Sequence, residues 1–218
     1  MHRTIYFLIF IIITIFSCTT KKDVLYLQNY SKSDSYDYKE YKLNIDDILK
    51  ISVNTDQPQL SLIYNPRGIN SNFSTNKENL LYYGYQVDFN GDINFPKIGK
   101  INVVGMTIDN LRDFLYKSIT DSGDLTDPVI DVKLINAHFT ILGEVNQPGR
   151  YDFLGNNINL LDALGIAGDL TITGDRKELV LIRDINNKKE FFKIDLTNTD
   201  FMAKNSFQIF SRDVIIVN

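Results

Sequence analysis

Cysteine is nearly absent from this chain: Cys18 stands alone among 218 residues, so no internal disulfide can form and no thiolate cluster can hold zinc. Histidine occurs only at positions 2 and 138, too few imidazoles for a histidine-based metal site, and beyond the N-terminal segment His138 alone is left for any catalytic triad. The glycine spacings that cradle nucleotide phosphates, G-x-G-x-x-G and G-x-x-x-x-G-K-[ST], are missing. No Lys/Arg run is longer than a pair such as Lys21-Lys22 or Lys188-Lys189, and the formal net charge is −4, which argues against a nucleic-acid partner. Tryptophan is absent too, and the aromatic content comes from 12 Tyr and 14 Phe. These absences point to a protein with no catalytic residues, no metal and no cofactor. Adjacent carboxylates such as Asp46-Asp47 could suggest glycosidase chemistry, which needs two carboxylates about 5–10 Å apart across one bond. Neighbours on an extended chain point to opposite faces, so this pair is expected to cap a turn.

What is present begins with an apolar run over residues 5–16, preceded by Arg3 and followed by Ser17-Cys18. A bilayer-spanning helix needs roughly 20 apolar residues, so this shorter run reads as the core of a secretory signal peptide over residues 1–17. The stretch Ile15-Phe16-Ser17-Cys18 resembles a bacterial lipobox, which makes Cys18 the expected lipidation site and new N-terminus. Cleavage would also remove Arg3 and leave the mature chain one unit more negative. Residues 18–40 are polar, rich in Ser and Tyr and without sustained periodicity, as expected of a lipidated tether.

Order is expected from Tyr41. Leu49, Ile51 and Val53 alternate with Lys50 and Ser52, the period-two pattern of a half-buried strand over residues 48–53. Residues 55–83 are rich in Asn, Ser, Pro and Gly and read as a long loop. In YQVDFNGDINF, Tyr85, Val87 and Phe89 are expected to face Ile93 and Phe95 across a type I′ turn at Asn90-Gly91. Thr107 can cap a helix whose residues Ile108, Leu111, Leu115 and Ile119 form one apolar stripe, with Lys117 expected in its last turn. A strand over 130–134 follows Asp127-Pro128. A second unit of similar grammar starts at His138, expected to be a half-buried structural residue: an apolar strand, a type II turn at Pro148-Gly149, and a returning strand. Asn159 can cap a short helix that ends near Gly168. Strands near 179–183 and 191–194 flank Asn186-Asn187, and a last strand occupies 214–217. The reading is α+β, two small domains over residues 41–136 and 137–218.

Several of these segments resemble the polysaccharide biosynthesis and export (Wza-like) family. YKLNIDDILKISV keeps Tyr41, Leu43, Asp47, Leu49, Ile51 and Val53 of the family's YxLGPGDxLxIxV, with Asn44-Ile45-Asp46 in place of Gly-Pro-Gly. VDFNGDINFPKIGKINVVGMT, then LRDFLYKSI, then DPVIDVKL follow the family's hairpin, helix and DPxVxV strand in order and spacing. FTILGEVNQPGRYDFLGNNINLLDALGIAGDL is similar to the soluble-ligand-binding β-grasp (SLBB) module that follows the export domain.

The resemblance implies a non-catalytic component of a capsular or exopolysaccharide export conduit. It also implies a homo-oligomeric ring, lipid-anchored at the outer membrane and mainly periplasmic. Its implied partners are the exported polysaccharide, outer-membrane lipid through the acyl anchor, and a polysaccharide copolymerase in the inner membrane. Many family members carry a C-terminal membrane-crossing segment, whereas only five residues follow Asp213 here, so a separate outer-membrane pore protein is an expected partner. The rival expectation is a membrane-tethered periplasmic module that binds a glycan or small ligand without transporting it.

Overall fold

The computed structural model describes residues 25–28, 38–65, 81–185, 188–204 and 207–218. Its strands and helices gather around two hydrophobic cores, giving an α+β chain of two modules. In the first, β1 (Ile48–Asn54) is the centre of a three-stranded antiparallel sheet, between β2 (Tyr85–Gln86) and β5 (Val129–Leu134). Leu49, Ile51 and Val53 point inward as their alternation predicts, but Ser52 is buried as well.

Within the loop expected over 55–83, the described residues 55–65 are more structured than the composition suggests. A short helix α1 (Pro58–Ser61) leads to Tyr64, whose buried ring stacks on Phe95 and whose hydroxyl donates to Asp124 at 2.7 Å. The Asn65 side chain accepts from the Val53 amide at 3.0 Å and donates to the Val53 carbonyl at 2.6 Å, so it substitutes for a missing strand partner.

The hairpin expected across Asn90-Gly91 takes a different form. Asp88 N donates to Asp92 O and Gly91 N to Asp88 O, both at 2.9 Å, which closes a tight turn. Gly91 has φ +85°, but Asn90 is not left-handed, so the geometry is that of a type I turn followed by a glycine bulge and not type I′. Beyond that rung the strands part: β2 pairs with β1, while β3 (Asp92–Phe95) pairs with β4 (Gly99–Asn102). The competing partner is the Asp46–Asp47 backbone, which bonds Val87 in both directions. Phe89 therefore does not face Ile93 and Phe95; it sits at the turn tip, 82% exposed.

Helix α2 (Ile108–Asp121) is capped by the Thr107 hydroxyl, which accepts from Asn110 N at 3.1 Å, and it buries Ile108, Leu111, Leu115 and Ile119. It runs to Asp121, so Lys117 lies before its last turn.

The second module is a five-stranded sheet in the order β10-β9-β12-β6-β7, built from β6 (His138–Gly143), β7 (Gly149–Asp152), β9 (Leu179–Ile185), β10 (Lys188–Ile194) and β12 (Val214–Val217). β12 runs parallel to β6, and the other pairs are antiparallel. A two-stranded ribbon of β8 (Asn157–Asn159) and β11 (Gln208–Phe210) leads into helix α3 (Leu160–Ile166), whose Leu160, Ala163 and Leu164 cover Phe139, Ile141, Leu181 and Ile215. The Asn159 side chain accepts from Asp162 N at 2.8 Å and caps α3, and Gly168 follows in the left-handed conformation. The Asn186-Asn187 turn lies outside the described residues.

The type II turn expected at Pro148-Gly149 is not formed. Gly149 has no positive φ; it is the first residue of β7 and pairs with Ile141. The glycine this connection requires is Gly143, with φ +91°, where an added Cβ would lie 1.9 Å from the Val217 carbonyl oxygen. The incoming β12 backbone presses on β6 at that point.

Candidate functional site

Cys18, the expected lipidation site, lies outside the described residues. His138 opens β6 half-buried, with Nδ1 2.9 Å from the Asn136 carbonyl. Among the described residues, no group of three or more His, Cys, Asp or Glu side chains could hold a metal ion. Also among them, no helix is long and apolar enough to cross a membrane. A cleft of about 90 Å³ lined by Tyr38, Tyr41, Asp109 and Asn156 is well below the roughly 300–1,000 Å³ of a small-molecule pocket.

A buried polar network lies where the two modules meet. Asn44–Asp47 forms a tight turn, with Asp46 at φ +65° supplying the left-handed residue. Asp47 Oδ2 accepts from Asn44 N at 2.9 Å, the capping role its position suggests. Its carboxylate is nonetheless fully buried and accepts from the Tyr41 hydroxyl at 2.9 Å and from Arg212 Nη2 of the second module at 2.7 Å. Burial pushes the Asp47 carboxyl above its ordinary value, against the Asn44 amide, the Arg212 charge and the Tyr41 bond. Burial, and then the Asp47 charge, pushes the Tyr41 phenol up.

Behind Arg212, Asp213 pairs with Arg183 in the second core: Nε donates at 2.9 Å, Nη2 at 2.6 Å, and the guanidinium lies 4.5 Å from the Phe210 ring. Burial raises the Asp213 carboxyl although Arg183 opposes it. Phe210 also meets Tyr41, centroids 5.9 Å apart. The Gln208 amide exchanges hydrogen bonds with the Lys39 backbone at 2.8 and 3.0 Å, and Asn136 bridges Ile48 N and Asp46 O. Phe153 packs on both cores. Sequence reasoning missed Arg212, Gln208 and Arg183; the visible signal was the dipeptide Arg212-Asp213 set directly before an apolar strand.

Two surfaces complete the picture. Residues 25–28, expected to be free tether, lie on the second module: Leu27 N and Gln28 N donate to Leu196 O and Thr197 O at 3.0 and 2.7 Å. Tyr26 lies over the Arg176 guanidinium at 5.5 Å, with its hydroxyl donating to Asp169. On the sheet face away from α3, register places Leu142, Ile216 and Val180 in one row and Val214, Ile182 and Phe191 in the next. Phe191 is 66% exposed there.

Among the described residues this is a two-module α+β protein with a buried polar network joining its modules. Residues 35–135 match the polysaccharide biosynthesis/export protein family, and residues 137–217 match the SLBB domain. The chain thus carries a polysaccharide biosynthesis/export domain followed by an SLBB domain. It is 31% identical over 149 residues to the EPS I polysaccharide export outer membrane protein EpsA of Ralstonia nicotianae, covering 66% of this chain and 38% of that protein. To EpsA of Ralstonia solanacearum it is 30% identical over 152 residues, covering 66% and 39%. The chain thus spans about two fifths of the length of these curated relatives.

Proposed function

We propose that this protein is a non-catalytic component of a polysaccharide export assembly at the outer membrane. The carrying observation is the tandem of an export domain and an SLBB domain, matched in succession over residues 35–135 and 137–217. The EpsA relatives, named as polysaccharide export outer membrane proteins, support the same reading. In this proposal Cys18 carries the acyl anchor, copies of the chain associate into a periplasmic ring, and the ring passes glycan delivered by a copolymerase in the inner membrane.

Deleting the gene and complementing it tests the role. Export requires that the deletion strain lose surface polysaccharide, with restoration by the intact gene. Unchanged surface polysaccharide would overturn the proposal, and normal export with lost glycan capture would favour a tethered binding module. For the anchor, Cys18→Ala is expected to leave both modules folded and to move the protein from the membrane to the soluble fraction. Failure of the wild type to incorporate a palmitate analogue would remove the anchor.

A further inference from the structure

Arg212 occupies the turn between β11 and β12 with φ +72°, a left-handed conformation that glycine adopts freely and that a long L side chain resists. Its backbone amide donates to the His138 carbonyl at 2.6 Å, a bond that any residue except proline could make. What an arginine adds is the guanidinium, and that group leaves its own module. It reaches Asp47, 165 positions earlier in the chain, whose carboxylate is wholly buried while the Arg212 side chain keeps 29% of its surface.

Asp47 has two other strong donors, the Tyr41 hydroxyl and the Asn44 amide, and both are neutral. Arg212 is the cation paired with it, and a buried carboxylate without a cation is poorly tolerated. The next residue, Asp213, turns the opposite way to bind Arg183 inside the second core. Two consecutive residues thus grip one module each: Arg212 holds the turn that begins β1, and Asp213 holds the sheet that contains β12.

From this geometry we infer that Arg212 is a cross-module clamp, held in a strained backbone conformation for the sake of its side chain, and that it makes the export and SLBB modules open and move as one body. The other junction contacts, Gln208 with Lys39 and Tyr41 with Phe210, then align the modules, and the Asp47–Arg212 pair couples them. The inference does not depend on lipidation, on ring formation or on the cargo. For an export component the consequence is mechanical: force or conformational change received by one module reaches the other without loss in a hinge.

The test is urea unfolding of the intact chain, followed separately in each module by hydrogen exchange of peptides covering β5 and β12. Coupling requires a shared midpoint in the wild type. Arg212→Gly removes the clamp and also relieves the backbone, so it should fold, yet the two peptides should open at separate midpoints. Exchange of the 135–137 amides between the modules should rise about tenfold or more. Asp47→Asn keeps shape and hydrogen-bonding capacity, and it should separate the midpoints too. Separate midpoints already in the wild type would overturn the clamp. So would a shared midpoint retained in Arg212→Gly or in Asp47→Asn, and a more stable, still concerted Arg212→Gly would identify Arg212 as strain without a coupling role.

Discussion

Two glycines show how far a residue's role can be read from its neighbours in the chain. Gly149 follows a proline and looks like a turn glycine, yet in β7 it has no positive φ, and an added Cβ would find only the Tyr151 ring at 4.0 Å. Gly143 carries no local mark in the sequence, but its φ of +91° and the Val217 carbonyl leave no room for a methyl group. Gly149→Ala is therefore expected to change stability by less than about 1 kcal/mol, while Gly143→Ala should cost roughly 3 kcal/mol or more through combined strain and overpacking. Thermal unfolding of the two variants gives the comparison, and equal losses would contradict the register of β12 on β6. The difference was illegible because the atom that forbids a side chain at 143 arrives 74 residues later, in the last strand.

Asp47 and Arg212 give a pH dependence at the same scale. A carboxyl whose folded value lies above its unfolded one binds its proton more tightly in the native state. Acidification from neutrality therefore favours the fold as pH drops through the folded value towards the unfolded one. Removing Arg212 raises that carboxyl further, because its paired cation is gone. The stability lost in Arg212→Gly is accordingly expected to be larger at neutral pH than at an acidic pH where Asp47 is protonated, since a neutral Asp47 needs no cation. Tm differences between wild type and variant at the two pH values measure it, and a constant difference would show that Asp47 does not titrate with the pair.

At the scale of elements, the sequence was most legible where one face of a strand or helix sets the pattern. The α2 stripe of Ile108, Leu111, Leu115 and Ile119 is buried in full, and the strand begun at Ile48 is present with its inward residues as read. Capping was legible as well, because the donor and acceptor are three residues apart. Thr107→Ala leaves the Asn110 amide without its acceptor and should cost about 1 kcal/mol of stability, measurable by urea unfolding. A loss near zero would mean that water replaces the cap. Strand partners were not legible, since both hairpin arms at Asn90-Gly91 alternate correctly while only long-range bonding from Asp46–Asp47 and β4 decides whom they pair with. The placement of residues 25–28 was hidden for a similar reason: its acceptors, Leu196 O and Thr197 O, belong to the distant second module.

For the whole molecule, the sheet face opposite α3 bears on assembly. Leu142, Val180, Ile182, Phe191, Val214 and Ile216 are contiguous by register, with Arg150 and Lys193 at the margins and Lys189 paired to Asp184. A contiguous exposed apolar patch on a soluble surface usually marks a contact site. A closed ring requires a heterologous contact, in which one face of a copy meets a different face of the next. If the proposed ring uses this face, Phe191→Asp places a charge on the edge-strand side of the interface while leaving the module intact, because the side chain is 66% exposed in the single chain. The expected result is a fall in oligomer mass by light scattering of the mature protein in mild detergent, with Tm shifted by no more than about 1 kcal/mol equivalent. An unchanged mass distribution in Phe191→Asp would assign the ring contact to another surface. A wild type that stays monomeric at high concentration would count against the ring itself and leave this face to a different partner.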